Sequence, residues 1–166
     1  YFDDRGIKLK PVKISKEKSW EFQNNLLLFF CGNLRNSSEI QKEQQSKTKQ
    51  NSTNLRKISE IAIEADSLFK SGDLNGIGNL LNDTWDIKKR LSKQISNSKI
   101  DDAYEAALRA GALGGKLLGA GGGGFLLIYA NPEYHQDISN ELATLPRVQF
   151  RFEESGSTIL SLSDDN

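Results

Sequence analysis

Residues 111–130 read GALGGKLLGAGGGGFLLIYA, eight glycines set between an amphipathic helical pattern and a strongly apolar strand. Four of them, 121–124, are consecutive. Each glycine in a sheet-adjacent segment costs about 0.5–1 kcal/mol relative to alanine, and a tight turn between strands needs only one or two. The excess points to backbone that lies bare against something, and phosphate is the commonest guest of bare backbone N–H groups. Two well-known phosphate loops do not fit. Gly119, Gly121 and Gly124 satisfy G-x-G-x-x-G, but dinucleotide binding needs a strand before the loop and a helix after it, and here a strand follows. Gly115-Lys116 is followed by Leu117, and Ala110 stands where the P-loop needs its first glycine.

Working outward, FLLIYA at 125–130 reads as a buried strand, and Pro132 opens a helix through Leu145, proline being tolerated in a first turn. Two closing strands are expected at 148–152 and 158–162, joined by a turn at Ser155-Gly156, before a frayed tail. Upstream of the glycines, a helix after Ser98 lines up Ile100, Ala103, Tyr104, Ala107 and Leu108. Before it come two further helices. The first carries Leu55, Ile58, Ile61, Ala62, Ala65, Leu68 and Phe69 on one face and stops at Ser71-Gly72. The second starts on Asp73 as N-cap and carries Leu74, Ile77, Leu81, Trp85, Leu91 and Ile95. The Gly72-Asp73 break makes them an antiparallel pair.

Residues 36–54 are polar, with Ile40 the only large apolar residue before Leu55, and read as a solvated helix or mobile loop rather than a core element. NLLLFFC at 25–31 has the pattern of a buried central strand, and GIKLKPVKI at 6–14 that of an edge strand bent by Pro11. Strands separated by helices, then a terminal pair of strands, indicate an α+β fold with an antiparallel sheet covered by helices on one face.

The length, 166 residues, suits one domain. Lys+Arg and Asp+Glu balance at 22 each, so no global field favours nucleic acid or an anionic membrane. No apolar run approaches the roughly 20 residues of a membrane span, and YFDDRGIKLK lacks the layout of a signal peptide. Cys31 stands alone, which excludes an internal disulfide and fits a reducing, cytoplasmic setting. The chain has no methionine and opens at Tyr1, so it reads as a piece of a longer protein or a processed one.

GGKLLGAGGGGFLLIYA resembles the third signature motif of the GHMP kinases, the family of galactokinase, homoserine kinase and mevalonate kinase. LLLFFCGNLRNSSEI, GDLNGIGNLLNDTWDIKKRLS and IDDAYEAALRAGALGGKLLGAGGGGFLLIYA together resemble the family's bacterial branch acting on D-glycero-D-manno-heptose 7-phosphate. The resemblance runs from about Gly6 to Leu162, yet corresponds only to the C-terminal half of such an enzyme. It implies a ferredoxin-like GHMP kinase C-terminal domain at 16–166, with 1–15 a terminal strand left from a missing N-terminal domain. It also implies ATP with Mg2+ as phosphoryl donor and a sugar or sugar phosphate as acceptor. The family's proline-glycine-serine-serine loop and catalytic aspartate belong to the N-terminal domain, and neither is found here. The fragment alone is therefore expected to be inactive, with its own missing kinase domain as partner and with no nucleic acid or membrane involved.

On this resemblance Gly119, Ala120, Gly121, Gly122, Gly123 and Gly124 pack against the N-terminal phosphate loop and line the nucleotide phosphate pocket. Two candidates remain for the substrate. Arg35 sits on a Gly-Asn-Leu-Arg turn past a strand, where an arginine can clamp a sugar phosphate bidentately, or is a solvated surface residue. Lys116 either gives a charge to phosphate or is a solvated lysine at a strand start. Trp85 and Cys31 are read as core, Lys88 and Lys89 as a solvated face or else an acceptor contact, and Asp101-Asp102 as first-turn partners of the helix dipole. His135, on a polar helix start, is assigned no metal or nucleophilic role. The competing class is a stand-alone α+β binding module whose glycine loop grips an anion without transfer.

Overall fold

A computed structural model of the chain describes residues 2–3, 6–7, 9, 11–32, 37–153 and 156–157. Its centre is an antiparallel three-stranded sheet of β3 (Leu26–Phe30), β4 (Gly114–Leu117) and β5 (Phe125–Tyr129), in the order β3-β5-β4. The glycine-flanked FLLIY strand is therefore central, and β3, expected at the centre, lies beside it. Register divides the sheet into two faces. Leu27 opposite Ile128 and Phe29 opposite Leu126 share one face with Leu117, and all five are at most 1% exposed.

That face packs on α5 (Ser98–Arg109) and α6 (His135–Glu141) through Ile100, Tyr104, Ala107, Ile138 and Leu142, with Trp85 in the same cluster. Asn97 caps α5 by accepting from Ile100 N at 3.2 Å. The opposite face carries Leu26, Tyr129, Leu127 and Lys116. It is covered at one end by α1 (Lys16–Asn24), α3 (Ser52–Ser71) and α4 (Leu74–Lys89), through Phe22, Phe69, Leu74 and Ile77. The expectation of a sheet covered on one face is thus corrected to both. At the far end of this second face Phe125, its ring tilted 50° against that of Phe30, stays 38% exposed.

The helical hairpin forms as the sequence dictates. Gly72 ends α3 in the left-handed conformation, φ +78°, and Asp73 caps α4 by accepting from Gly76 N at 2.9 Å. α4 ends at Lys89, however, so Leu91 and Ile95, expected on it, are buried from the turn that follows.

Several expectations are corrected. The strand expected at 6–14 reduces to β2 (Gly6–Ile7) paired with β1 (Phe2–Asp3), and Leu9 is 94% exposed. α1 forms where no element was expected, its start capped by Ser15 Oγ on Lys18 N. Residues 37–46 form α2 (Ser37–Ser46), and its Ile40 is 1% exposed within the core, so this polar stretch is a packed element. The helix expected from Pro132 to Leu145 divides into a 3-10 turn (Pro132–Tyr134) and the short α6. The chain at 146–148 follows the free edge of β3, with Phe30 N donating to Pro146 O and Val148 N to Leu28 O, but no regular strand forms at 148–152. Phe152 N is instead taken by Gln23 Oε1. The second closing strand, 158–162, lies outside the described residues.

Candidate phosphate-facing site

The β4–β5 connection is closed by Leu118 N on Phe125 O at 2.8 Å, leaving residues 119–124 as the loop. Gly119, Gly121, Gly122 and Gly124 have φ of +86°, +122°, +78° and +101°, conformations that side chains rarely adopt. At Gly121 there is no room either, since a Cβ would stand 2.7 Å from Ile95 Cα. The sequence pays four glycines for a path that no other residue follows cheaply.

This path is fixed rather than loose. Gly122 N donates to Ile95 O at 2.9 Å, and Gly124 N to Gly32 O at 3.0 Å, while Cys31 N returns a bond to Gly124 O at 2.8 Å. Side chains hold the carbonyls: Gln44 Nε2 reaches Ala120 O at 3.1 Å, and Lys88 Nζ reaches Gly119 O at 2.7 Å. The loop is thus tied to β3, α2, α4 and the segment before α5. The amides of Ala120, Gly121 and Gly123 have no acceptor among the described residues. A rigid loop presenting free N–H groups at a partly exposed position is what an anion requires.

Two cations attend it. Lys116, on β4, and Lys88, in the last turn of α4, are each partly buried. Burial first, and the charge of Lys116 second, hold the Lys88 ammonium down to about 8. Lys88, read from sequence as part of a solvated face, is therefore corrected to a loop-binding residue. Gln44 and Asn97 were not singled out from sequence; Asn97 Nδ2 lies 3.4 Å from Gly122 O. Arg35, the other substrate candidate, lies outside the described residues.

The remaining polar groups are spent on structure. His135 shares its Nε2 with Ala130 O at 3.0 Å, Asp101 accepts from Ser96 Oγ at 2.7 Å, and burial pushes the Cys31 thiol up. A groove of 490 Å³ opens elsewhere, between β3 and residues 147–151. It lies along the outer edge of β3, which residues 146–148 only partly cover, and it holds none of the glycine loop.

Residues 62–146, from the middle of α3 through α6 and including the whole glycine loop, match the family described as GHMP kinases C terminal. The chain belongs to that family. Among relatives, it is 24% identical over 134 residues to the D-glycero-alpha-D-manno-heptose 7-phosphate kinase of Campylobacter jejuni, covering 80% of this chain and 40% of that protein. It is also 24% identical over 128 residues to the bifunctional fucokinase/GDP-fucose pyrophosphorylase of Arabidopsis thaliana, covering 75% of this chain and 12% of that one. The GHMP fold is equally visible in solved structures. L. major mevalonate kinase superposes with a TM-score of 0.65 at 20% identity over 74% of this chain and 40% of its own. A D-glycero-D-manno-heptose 1-phosphate kinase from Bacteriodes thetaiotaomicron gives 0.62 at 20% identity over 96% and 44%. The chain thus spans less than half the length of the GHMP kinases it matches. Among the described residues, no helix is long and apolar enough to cross a membrane.

Proposed function

We propose that the chain is the C-terminal half of an ATP-dependent sugar kinase, acting on a sugar or sugar phosphate of the heptose 7-phosphate kind. Residues 16–166 form the domain's body, and residues 1–15 belong to the junction with an N-terminal domain outside the chain. The observation that carries this is the tethered loop at 119–124, with free amides at Ala120, Gly121 and Gly123 and with Lys88 bonded to Gly119 O. The likeness to the Campylobacter kinase over 80% of the chain supports the choice of acceptor.

In the reaction, a hydroxyl oxygen of the acceptor forms a bond to the γ-phosphorus of ATP as the bond to the bridging oxygen breaks. ADP leaves, and the hydroxyl proton passes to a base that the family resemblance assigns to the N-terminal domain. Little covalent chemistry falls to the protein, so positioning and charge neutralisation dominate. Loop amides and Lys116 supply both at the phosphates, and Mg2+ enters as the counter-ion of the nucleotide. We place the enzyme in the cytoplasm.

In the enzyme that contains this chain, replacing Gly122 and Gly123 together by alanine is expected to raise the Mg-ATP dissociation constant at least tenfold, or about 1.4 kcal/mol. Titration calorimetry checks it. Unchanged nucleotide affinity would remove the loop from the phosphate pocket, and anion binding without transfer would replace the kinase by a binding module.

A further inference from the structure

Lys88 and Lys116 come from different elements, and the packing of α4 on β4 brings them together. A Cβ on Gly114 would stand 2.1 Å from Gly78 O and 2.8 Å from Asn82 N, so helix and strand touch backbone to backbone there. Two residues further along β4, on the same face as Gly114, comes Lys116. Further along α4 in the same sense comes Lys88, whose Nζ ends on Gly119 O at 2.7 Å. The two ammonium groups lie close enough to repel.

Neither has a carboxylate partner among the described residues. Two acids on the neighbouring helices are committed elsewhere: Asp86 pairs with Lys89 at 3.3 Å, and Glu43 with Lys47 while also accepting from Ser92 Oγ at 2.6 Å. Partly buried like charges without a counter-ion are costly, and a carbonyl dipole compensates only in part. The charge that would relieve both is an anion set between them, beside the free loop amides.

We infer that Lys88 and Lys116 form an anion subsite at the mouth of the glycine loop that takes a phosphoryl group, Lys88 being the residue that joins the phosphate to the loop through Gly119 O. Lysine suits this role as a compact charge with three donors, able to keep one on the carbonyl and give another to the phosphate. The subsite rests on the kinase reading only for the source of its phosphate, which is either the nucleotide or a phosphate ester carried by the acceptor.

The test titrates the enzyme that contains this chain with inorganic phosphate, with glucose 6-phosphate against glucose, and with Mg-ATP against adenosine, following amide and lysine side-chain resonances. Lys88→Gln and Lys116→Gln are each expected to weaken phosphate binding at least tenfold without changing the unfolding midpoint. Lys89→Gln, which removes the same charge from the neighbouring position, is expected to leave it within about twofold. A phosphate ester is a dianion above about pH 6 and favours the charged ammonium, so above that pH affinity falls as pH rises through about 8. The facing charged group is Lys116 on β4, α2 presents the neutral Gln44 to the same loop, and Lys89 and Asp86 on α4 pair with each other. The pH slope is expected to vanish in Lys88→Gln.

Equal losses in all three variants, or none, would overturn the subsite. Should the paired Gly122 and Gly123 substitutions weaken Mg-ATP while the lysine variants do not, the subsite falls and the kinase reading stands. Should the lysine variants weaken phosphate in a protein indifferent to Mg-ATP, the subsite stands and the kinase reading falls. Preference for glucose 6-phosphate over glucose assigns the site to the acceptor, and preference for Mg-ATP over adenosine assigns it to the nucleotide.

Discussion

Gly114→Ala is expected to lower the unfolding free energy by at least about 3 kcal/mol, the upper end of the cost of forcing a methyl group into a packed interior. The added Cβ would lie 2.1 Å from Gly78 O and 2.8 Å from Asn82 N, both backbone atoms of α4 that no rotamer change can clear. The helix must therefore move away from β4. Because the same helix carries Lys88 in its last turn, the bond to Gly119 O should weaken along with the fold. Chemical denaturation checks the first effect, and the side-chain resonance of Lys88 the second. A variant as stable as the parent would show that α4 and β4 do not meet backbone to backbone.

Gly121→Ala is expected to cost about 3 kcal/mol, combining backbone strain of about 1–3 kcal/mol with a collision. Its φ is +122°, and its Cβ would stand 2.7 Å from Ile95 Cα and 2.9 Å from Ile95 O. The bond from Gly122 N to Ile95 O should be lost as well. Gly119 gives the comparison, since its φ is +86° but no atom lies within 4 Å of an added Cβ. Gly119→Ala should therefore cost only the strain, about 1 kcal/mol. Equal losses at the two positions, read by denaturant midpoints, would contradict the close approach of the loop to the segment before α5.

These two glycines show why the loop was legible in the sequence. Glycine is the one residue whose presence reports backbone geometry directly, and of the four in a row before FLLIY three take positive φ. The helical hairpin was equally readable, because Asp73 caps α4 and Gly72 ends α3 by local rules. Two other parts depended on partners distant in sequence. Ile40 looks like a lone apolar residue in a polar stretch until α2 lies on the core, where it is 1% exposed. Lys88 looks like half of a solvated pair until the approach of α4 to β4 sets it 31 residues away on Gly119 O.

The strand expected at 148–152 fails for a related reason. Its alternation is correct, but Pro146 has no N–H to give the ladder, and Phe152 N turns to Gln23 instead. The residues at 6–14 alternate too, yet Ile7 pairs only with the two-residue β1 and Leu9 lies past that pairing, and they stay 68% and 94% exposed. Alternation alone does not supply a partner strand.

Whether residues 119–124 face phosphate is read most plainly from an amide resonance map of the isotope-labelled enzyme that contains this chain, with and without Mg-ATP. The loop account predicts that the largest shifts fall on the amides of Ala120, Gly121 and Gly123, which have no acceptor among the described residues, while those of Gly122 and Gly124, already bonded to Ile95 O and Gly32 O, move less. Shifts confined to the groove between β3 and residues 147–151, with the glycine loop unmoved, would contradict it.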